Sequence, residues 1–351
     1  MNKPYPSVAD LAHAFPPLTA SALWRVEPED FQVDEELGFE PDGEGEHVLL
    51  QIRKRDANTD WIAKRLARFA DVKPMDVSYA GMKDRYAVTT QWFSVRLAGK
   101  SNPDWDSFND DEAQVLQWHL HKRKLKRGSL RGNRFVILLR EVKGERAELE
   151  QRLSDIAGTG VPNYFTEQRF GRDEQNLPQA EAMLSGAKRV KDRNKRSIYL
   201  SAARSFLFNQ ILSARVTQRT WNQILPGEIV MLAGSRSSFI ADEVDDTLRQ
   251  RLAEWDINPS GPMPGDSRDP LPAHELTILE PWQSLCTGLK NARVDVDRRA
   301  LRLRVQDLKW EFVGGDQLRL EFGLGKGSYA SAVVRELMEV VVPERDFSPK
   351  S

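Results

Sequence analysis

The stretch Gly81-Met82-Lys83-Asp84-Arg85-Tyr86-Ala87-Val88-Thr89-Thr90-Gln91 decides how the first third of the chain is read. Val77-Ser78-Tyr79 before it and Gln91 to Leu97 after it have strand character, the second with Phe93, Val95 and Leu97 on one face. A charged tetrad between two strands is a loop, and loops display functional side chains. Asp84 stands there between Lys83 and Arg85, which favour its ionised form, and a carboxylate so held can act as a nucleophile or base. Thr89 and Gln91 can fix the loop through hydrogen bonds to its backbone. On local chemistry alone, the tetrad reads first as a salt-bridged turn.

Outward from this loop, Phe31 to Asp34 and Val48 to Ile52 read as short strands. Thr59 or Asp60 can cap a helix carrying Ile62, Leu66 and Phe69. Phe135 to Leu139 is a buried strand, and the charged helix Glu141 to Ile156 ends at Gly158-Thr159-Gly160-Val161-Pro162. Helical stretches follow at Gln179–Leu184 and Ser201–Gln218. Asn258 to Pro272, with five prolines and two glycines, reads as a long surface loop. Strand alternation returns at Arg302–Val305 and Leu318–Phe322, then a turn over Gly323–Ser328 and a closing helix Ala330–Val340. The order predicts an α+β domain interrupted by an inserted domain: residues 1–157 and 306–351 on one side, 158–305 between them.

Composition narrows the function. With 40% hydrophobic residues, nine Trp and fifteen Phe, the chain can build a core, so wholesale disorder is excluded. Phe135–Leu139, as long as any apolar run in the chain, is far short of the ~18 residues of a membrane helix. The N-terminal stretch lacks an apolar signal core, so a soluble cytoplasmic protein is expected. The single Cys286 excludes an internal disulfide and a Cys-based zinc site, and reads as a buried small hydrophobe. The net charge of −1 hides a segregation. Glu27 to Glu46 holds ten acids and no Lys or Arg; His119 to Arg140 holds eight Lys/Arg and no acid; Lys188 to Arg204 holds seven against Asp192. Such blocks cancel in a total but not within the ~10 Å over which salt screens charge. Basic runs with aromatics and Asn nearby suit phosphate contacts, stacking and base-edge hydrogen bonds. Lys122, Arg123, Lys124 and Arg127 are the phosphate-contact candidates. A near-neutral total is compatible with RNA binding if the acidic block turns away from the RNA path.

Other patterns carry less. Gly323, Gly325 and Gly327 have the wrong spacing for a phosphate loop, His119 and His121 have no third metal ligand in view, and Asp295-Val296-Asp297 follows no apolar strand.

The Gly81–Gln91 stretch resembles the signature of the tRNA pseudouridine synthase D (TruD) family. So do Glu29-Asp-Phe31-Gln-Val33, Gly38 to His47, His121 to Leu125 with Arg131 to Phe135, Val161 to Phe165 with Gln168 to Gly171, Arg193 to Arg196, Ser201 to Arg204 with Phe208 to Gln210, and Gly327-Ser-Tyr329 with Val334 to Leu337. The similarity runs in order along nearly the whole chain. It implies a pseudouridine synthase catalytic domain with a mostly antiparallel mixed sheet, interrupted by an α/β insertion. It also implies an isomerase that converts uridine 13 of tRNA to pseudouridine without metal or cofactor, acting as a monomer with no obligate protein partner. In the family's pattern Asp84 matches the catalytic aspartate, and Phe31 and Asn133 match the uracil-contacting positions. Tyr329 matches a third such position where the family often has Phe. Lys83 or Arg85 is expected to orient Asp84 and hold a phosphate.

Overall fold

The structure is a computed structural model that describes residues 5–267 and 270–344. The chain is α+β and divides into two compact units. One comprises Leu18–Leu153, Val305–Gly327 and Met338–Ser351; the other comprises Met1–Pro17, Ser154–Arg304 and Ser328–Leu337. Against the sequence-based bounds 158–305, the second unit also takes in residues 154–157, the N-terminal segment and the segment that carries Tyr329, and Val305 falls in the first.

The first unit is built on a mixed, mostly antiparallel sheet. Its strands are β1 Ser21–Trp24, β2 Phe31–Leu37, β3 His47–Arg55, β4 Val77–Tyr79, β5 Val88–Arg96, β6 Ala113–His121, β7 Leu130–Lys143, β8 Gln306–Val313, β9 Gln317–Gly325 and β10 Glu339–Val341. The main order is β8-β9-β7-β2-β5-β3-β6, with β1 beside β7 and β10, and β4 beside β5. Among the described residues of this sheet, only the β2–β5 and β1–β10 pairs are parallel. Alternation fixes which face is buried: Val48, Leu50 and Ile52 of β3 and Phe93 and Val95 of β5 point inward, against Ile62 and Leu66 of helix α1, Thr59–Phe69. A row of rings, Trp24, Phe31, Phe135 and Phe322, continues that core across β1, β2, β7 and β9. Between β7 and β9 the backbones approach so closely at Gly132 that a Cβ would lie 2.5 Å from the Leu324 carbonyl oxygen, so the residue before Asn133 has no side chain.

The second unit centres on the helix Arg193–Thr217, whose Phe206, Leu207, Phe208, Ile211 and Leu212 are buried. This helix begins at the basic run, eight residues before the expected Ser201, because the Asp192 carboxylate accepts from the amides of Asn194 and Lys195. A four-stranded antiparallel sheet of Glu228–Leu232, Ser238–Ala241, Ile257–Met263 and Asp297–Ala300 completes it. Ile257–Met263 corrects the first six residues of the loop expected over Asn258–Pro272; residues 264–267 and 270–272 belong to no named helix or strand, and 268–269 lie outside the described residues. Its prolines fit because the strand changes partner midway: Pro259 pairs with Val230, and Pro262 with Arg298. Cys286 is half-buried on the unit's core, and burial pushes its thiol up to about 11. No helix among the described residues is long and apolar enough to cross a membrane.

Candidate active site

The Gly81–Ala87 loop connects β4 to β5 and is tied down by a relay of three buried or half-buried groups. The Lys83 amide donates to the Thr59 hydroxyl oxygen at 3.1 Å, the Thr59 hydroxyl donates to Gln91 Oε1 at 3.0 Å, and Gln91 Nε2 donates to the Gly81 carbonyl at 2.5 Å. Gln91 thus does what the sequence suggested. Thr89 does not: its hydroxyl is buried with no hydrogen-bond partner among the described residues. Thr59, expected as a helix cap, supplies the missing link, while Asn58 occupies the N-cap position. Thr59→Val keeps the shape and strands the Lys83 amide and the Gln91 carbonyl. We expect it to lower unfolding stability by about 1–3 kcal/mol, measured by urea denaturation; an unchanged midpoint would discount the relay.

Neither flanking cation touches the Asp84 carboxylate. Lys83 turns inward to pair with Glu35, which is fully buried and also accepts from the Trp92 amide at 2.9 Å. Burial raises the Glu35 carboxyl above its ordinary range, opposed by the Lys83 charge. Arg85 turns outward to Asp56 at 3.4 Å and is half exposed. The cation on Asp84 is Arg25, just past the end of β1, whose Nη2 lies 3.3 Å from Asp84 Oδ2. Asp84 keeps 38% of its side-chain surface open, against 12% for Arg25. Arg25 has a positive φ of 60°, a conformation that costs a non-glycine residue roughly 1–2 kcal/mol. Its guanidinium lies over the Trp24 and Phe31 rings.

Phe31 is not the open platform that stacking requires. Only 3% of it is exposed, because the Arg25 guanidinium lies 4.0 Å from its ring centroid while Phe135 stacks near-parallel at 6.0 Å and Trp24 meets it edge-on at 5.7 Å. Asn133, opposite Glu35 in the β2–β7 register, has a buried Oδ1 with no hydrogen-bond partner among the described residues. A buried acceptor left unmet costs about 1–3 kcal/mol, which a ligand N–H would recover. Phe31, Asp84, Lys83 and Asn133 all belong to the sheet-bearing unit; Tyr329 belongs to the other. There its ring meets Phe165 edge-on at 6.0 Å, with the Arg169 guanidinium 5.8 Å from its centroid.

The basic candidates form the exposed loop between β6 and β7, anchored by buried Leu125, whose amide donates to Ser94 Oγ at 3.0 Å. Arg123 and Arg127 are exposed. Lys124 donates to the Met75 carbonyl at 2.7 Å, and Lys122 pairs with Glu44 at 2.6 Å. The acidic block therefore does not turn away as a body. Asp42 accepts from the Lys122 amide and pairs with His121, Glu46 pairs with Arg96, and Glu29 with Arg55. Arg140 holds both Glu27 and Asp30. Seven of the ten acids between Glu27 and Glu46 thus meet a cation over short range, two of them sharing Arg140. In the second unit, Arg193 to Arg196 are exposed on the first turn of their helix, where positive charge opposes the helix dipole. Local stability does not explain them there.

Two residues at this site escaped the sequence reading. Arg25 left no signal there. Lys54 did: it falls on the inward face of β3, in step with Val48, Leu50 and Ile52, and its fully buried ammonium donates to the carbonyls of Ala57 at 2.7 Å and Asp84 at 3.1 Å.

This α+β arrangement is shared with a crystal structure from Methanosarcina mazei labelled TruD, which matches with a TM-score of 0.69 at 21% identity over 93% of this chain and 95% of that one. The family profile for tRNA pseudouridine synthase D (TruD) matches residues 20–178 and 175–337. The protein named tRNA pseudouridine synthase D in Methylococcus capsulatus is 48% identical, covering 95% of this chain and 96% of that protein. Its namesake in Nitrosococcus oceani is 47% identical over 93% of each chain. The chain belongs to the tRNA pseudouridine synthase D family.

Proposed function

We propose that this protein is a cytoplasmic, monomeric isomerase that converts uridine 13 of tRNA to pseudouridine, with Asp84 as its catalytic residue and without metal or cofactor. The observation that carries this is the Asp84 loop. Its backbone is pinned by Thr59, Gln91 and Lys54, while its carboxylate stays partly open and meets a single arginine among the hydrogen bonds and ion pairs described above. Catalysis is assigned to the sheet-bearing unit, and RNA holding to the basic loop 122–127 and to the second unit.

The chemistry sets the requirements. The target uridine leaves its stack, since C1′ and the ring are out of reach inside folded RNA. Asp84 acts on the sugar as the N1–C1′ bond breaks. The freed uracil turns, C5 bonds to C1′ and gives up its proton, and N1, freed of the sugar, gains one, so the reaction is a net isomerisation. Asn133 Oδ1 accepts from an imide N–H of the detached base. Phe31 receives the ring where the Arg25 guanidinium now lies, so that side chain slides off the ring as the base enters.

The test is release of tritium from C5-labelled uridine in tRNA by the purified protein, with the modified position mapped. No release, or release from another position alone, would reject the assignment. Neutralising Lys122, Arg123 and Arg127 together is expected to weaken tRNA binding about 10- to 100-fold at moderate salt and to flatten its salt dependence. An unchanged slope would move the RNA surface elsewhere.

A further inference from the structure

We propose that Lys54 is a positioning residue for Asp84: sealed beneath the loop, its ammonium holds the Asp84 peptide in place and sets a fixed positive charge behind the carboxylate. This rests on the assignment of Asp84 above and goes beyond it.

The geometry is one-sided. Lys54 belongs to a continuous strand paired on both edges, with β5 and with β6, so its backbone cannot yield. Its side chain is fully buried on the core face, and it spends two of its three N–H donors on the carbonyls of Ala57 and Asp84. A neutral donor would satisfy those carbonyls without the expense of burying a charge. A lysine here therefore needs a reason beyond hydrogen bonding. The charged groups that face it supply one. They are Asp84 and Lys83 from the loop, Glu35 from β2, and Asp56 just after its own strand. Glu35 is already paired with Lys83, and Asp56 with Arg85. Of these carboxylates Asp84 acts most strongly on Lys54, and it is the one whose own peptide carbonyl Lys54 holds, while Arg25 meets its side chain.

Burial lowers the Lys54 ammonium from 10.5 to about 8; the Asp84 charge opposes this fall, Lys83 reinforces it, and Glu35 and Asp56 oppose it. Lys54 thus carries its charge below about pH 8 and loses it above. A positioning role through that charge places a fall in turnover where the charge is lost.

The experiment measures single-turnover pseudouridine formation on an unmodified tRNA transcript from about pH 6 to about pH 10, together with tRNA affinity, for wild type and Lys54→Met. In the wild type the rate falls as pH rises through about 8. In Lys54→Met the rate at neutral pH is about 30- to 100-fold lower, tRNA affinity stays within about twofold, and the fall near pH 8 is gone. A folded Lys54→Met with the wild-type rate, or one that keeps that fall, overturns the proposal. Where Lys54→Met does not fold, the ε-carbon of Lys54 is titrated by NMR in wild type and in Asp84→Asn. Loss of the aspartate charge moves the Lys54 midpoint down, and an unmoved midpoint overturns the coupling. Asp84→Asn with undiminished turnover would instead sink the assignment of Asp84 itself, so the two failures are distinguishable.

Discussion

Asp84→Asn is expected to reduce C5 tritium release from tRNA by at least about 10^4-fold while leaving tRNA affinity within about threefold. The substitution is well suited to the question because so little else changes. The Lys54 contact is to the backbone carbonyl of residue 84, which asparagine retains. The Thr59 and Gln91 bonds go to the backbone of Lys83 and Gly81, which are untouched. Asparagine's own carbonyl oxygen can still accept from Arg25 Nη2. What disappears is the charge and its capacity to attack or to take a proton. A retained rate would therefore leave no structural excuse, and Asp84 would lose its assigned role.

Arg25→Leu is expected to lower turnover by about 100-fold with tRNA binding unchanged or slightly tighter. Two effects oppose each other here. The guanidinium that orients the Asp84 carboxylate is lost, and misplacement of a reacting group by about 1 Å costs on the order of 10^2 in rate. At the same time the Phe31 ring is uncovered, which eases entry of the base. Stacking on one aromatic is worth roughly 1–3 kcal/mol, and most of it is recovered in the wild type once Arg25 moves aside, so the orienting loss wins. Arg25→Lys keeps the charge but not the planar group that lies flat on a ring, and should fall between the two, about 10-fold down. Single-turnover kinetics separate the terms. Wild-type turnover in Arg25→Leu would mean that the carboxylate needs no partner from β1.

How far the sequence foretold this can be judged residue by residue. The strand–loop–strand around Asp84 was legible because alternation at Phe93 and Val95 has a period of two that no helix imitates. The inward turn of Lys83 was not legible, because spacing along a loop does not reveal which neighbour faces Glu35 across another strand. Lys54 was legible in principle, from its parity with Ile52, but a lysine among Arg53 and Arg55 looks like part of a solvated run. Arg25 could not be found from local pattern, since a left-handed backbone at a strand end leaves no mark in composition. Asn258–Met263 misled because prolines usually signal loops, and only the change of pairing partner at mid-strand makes room for them. The closing helix ends at Leu337, three residues short of the expected Val340, because Glu339 and Val340 are taken by the parallel pairing with β1.

The pairing of Lys122 with Glu44, and of His121 with Asp42, bears on how any polyanion would be read by this surface. A cation that faces bulk solution surrenders mobile ions when it meets a phosphate, and the entropy of those ions drives the encounter. Lys122 instead already holds a tethered counterion that cannot diffuse away. A phosphate arriving there exchanges one anion for another and leaves Glu44 to be rehydrated in place. Within the proposed RNA-facing loop, Lys122 would therefore release fewer mobile ions on meeting a phosphate than exposed Arg123 or Arg127.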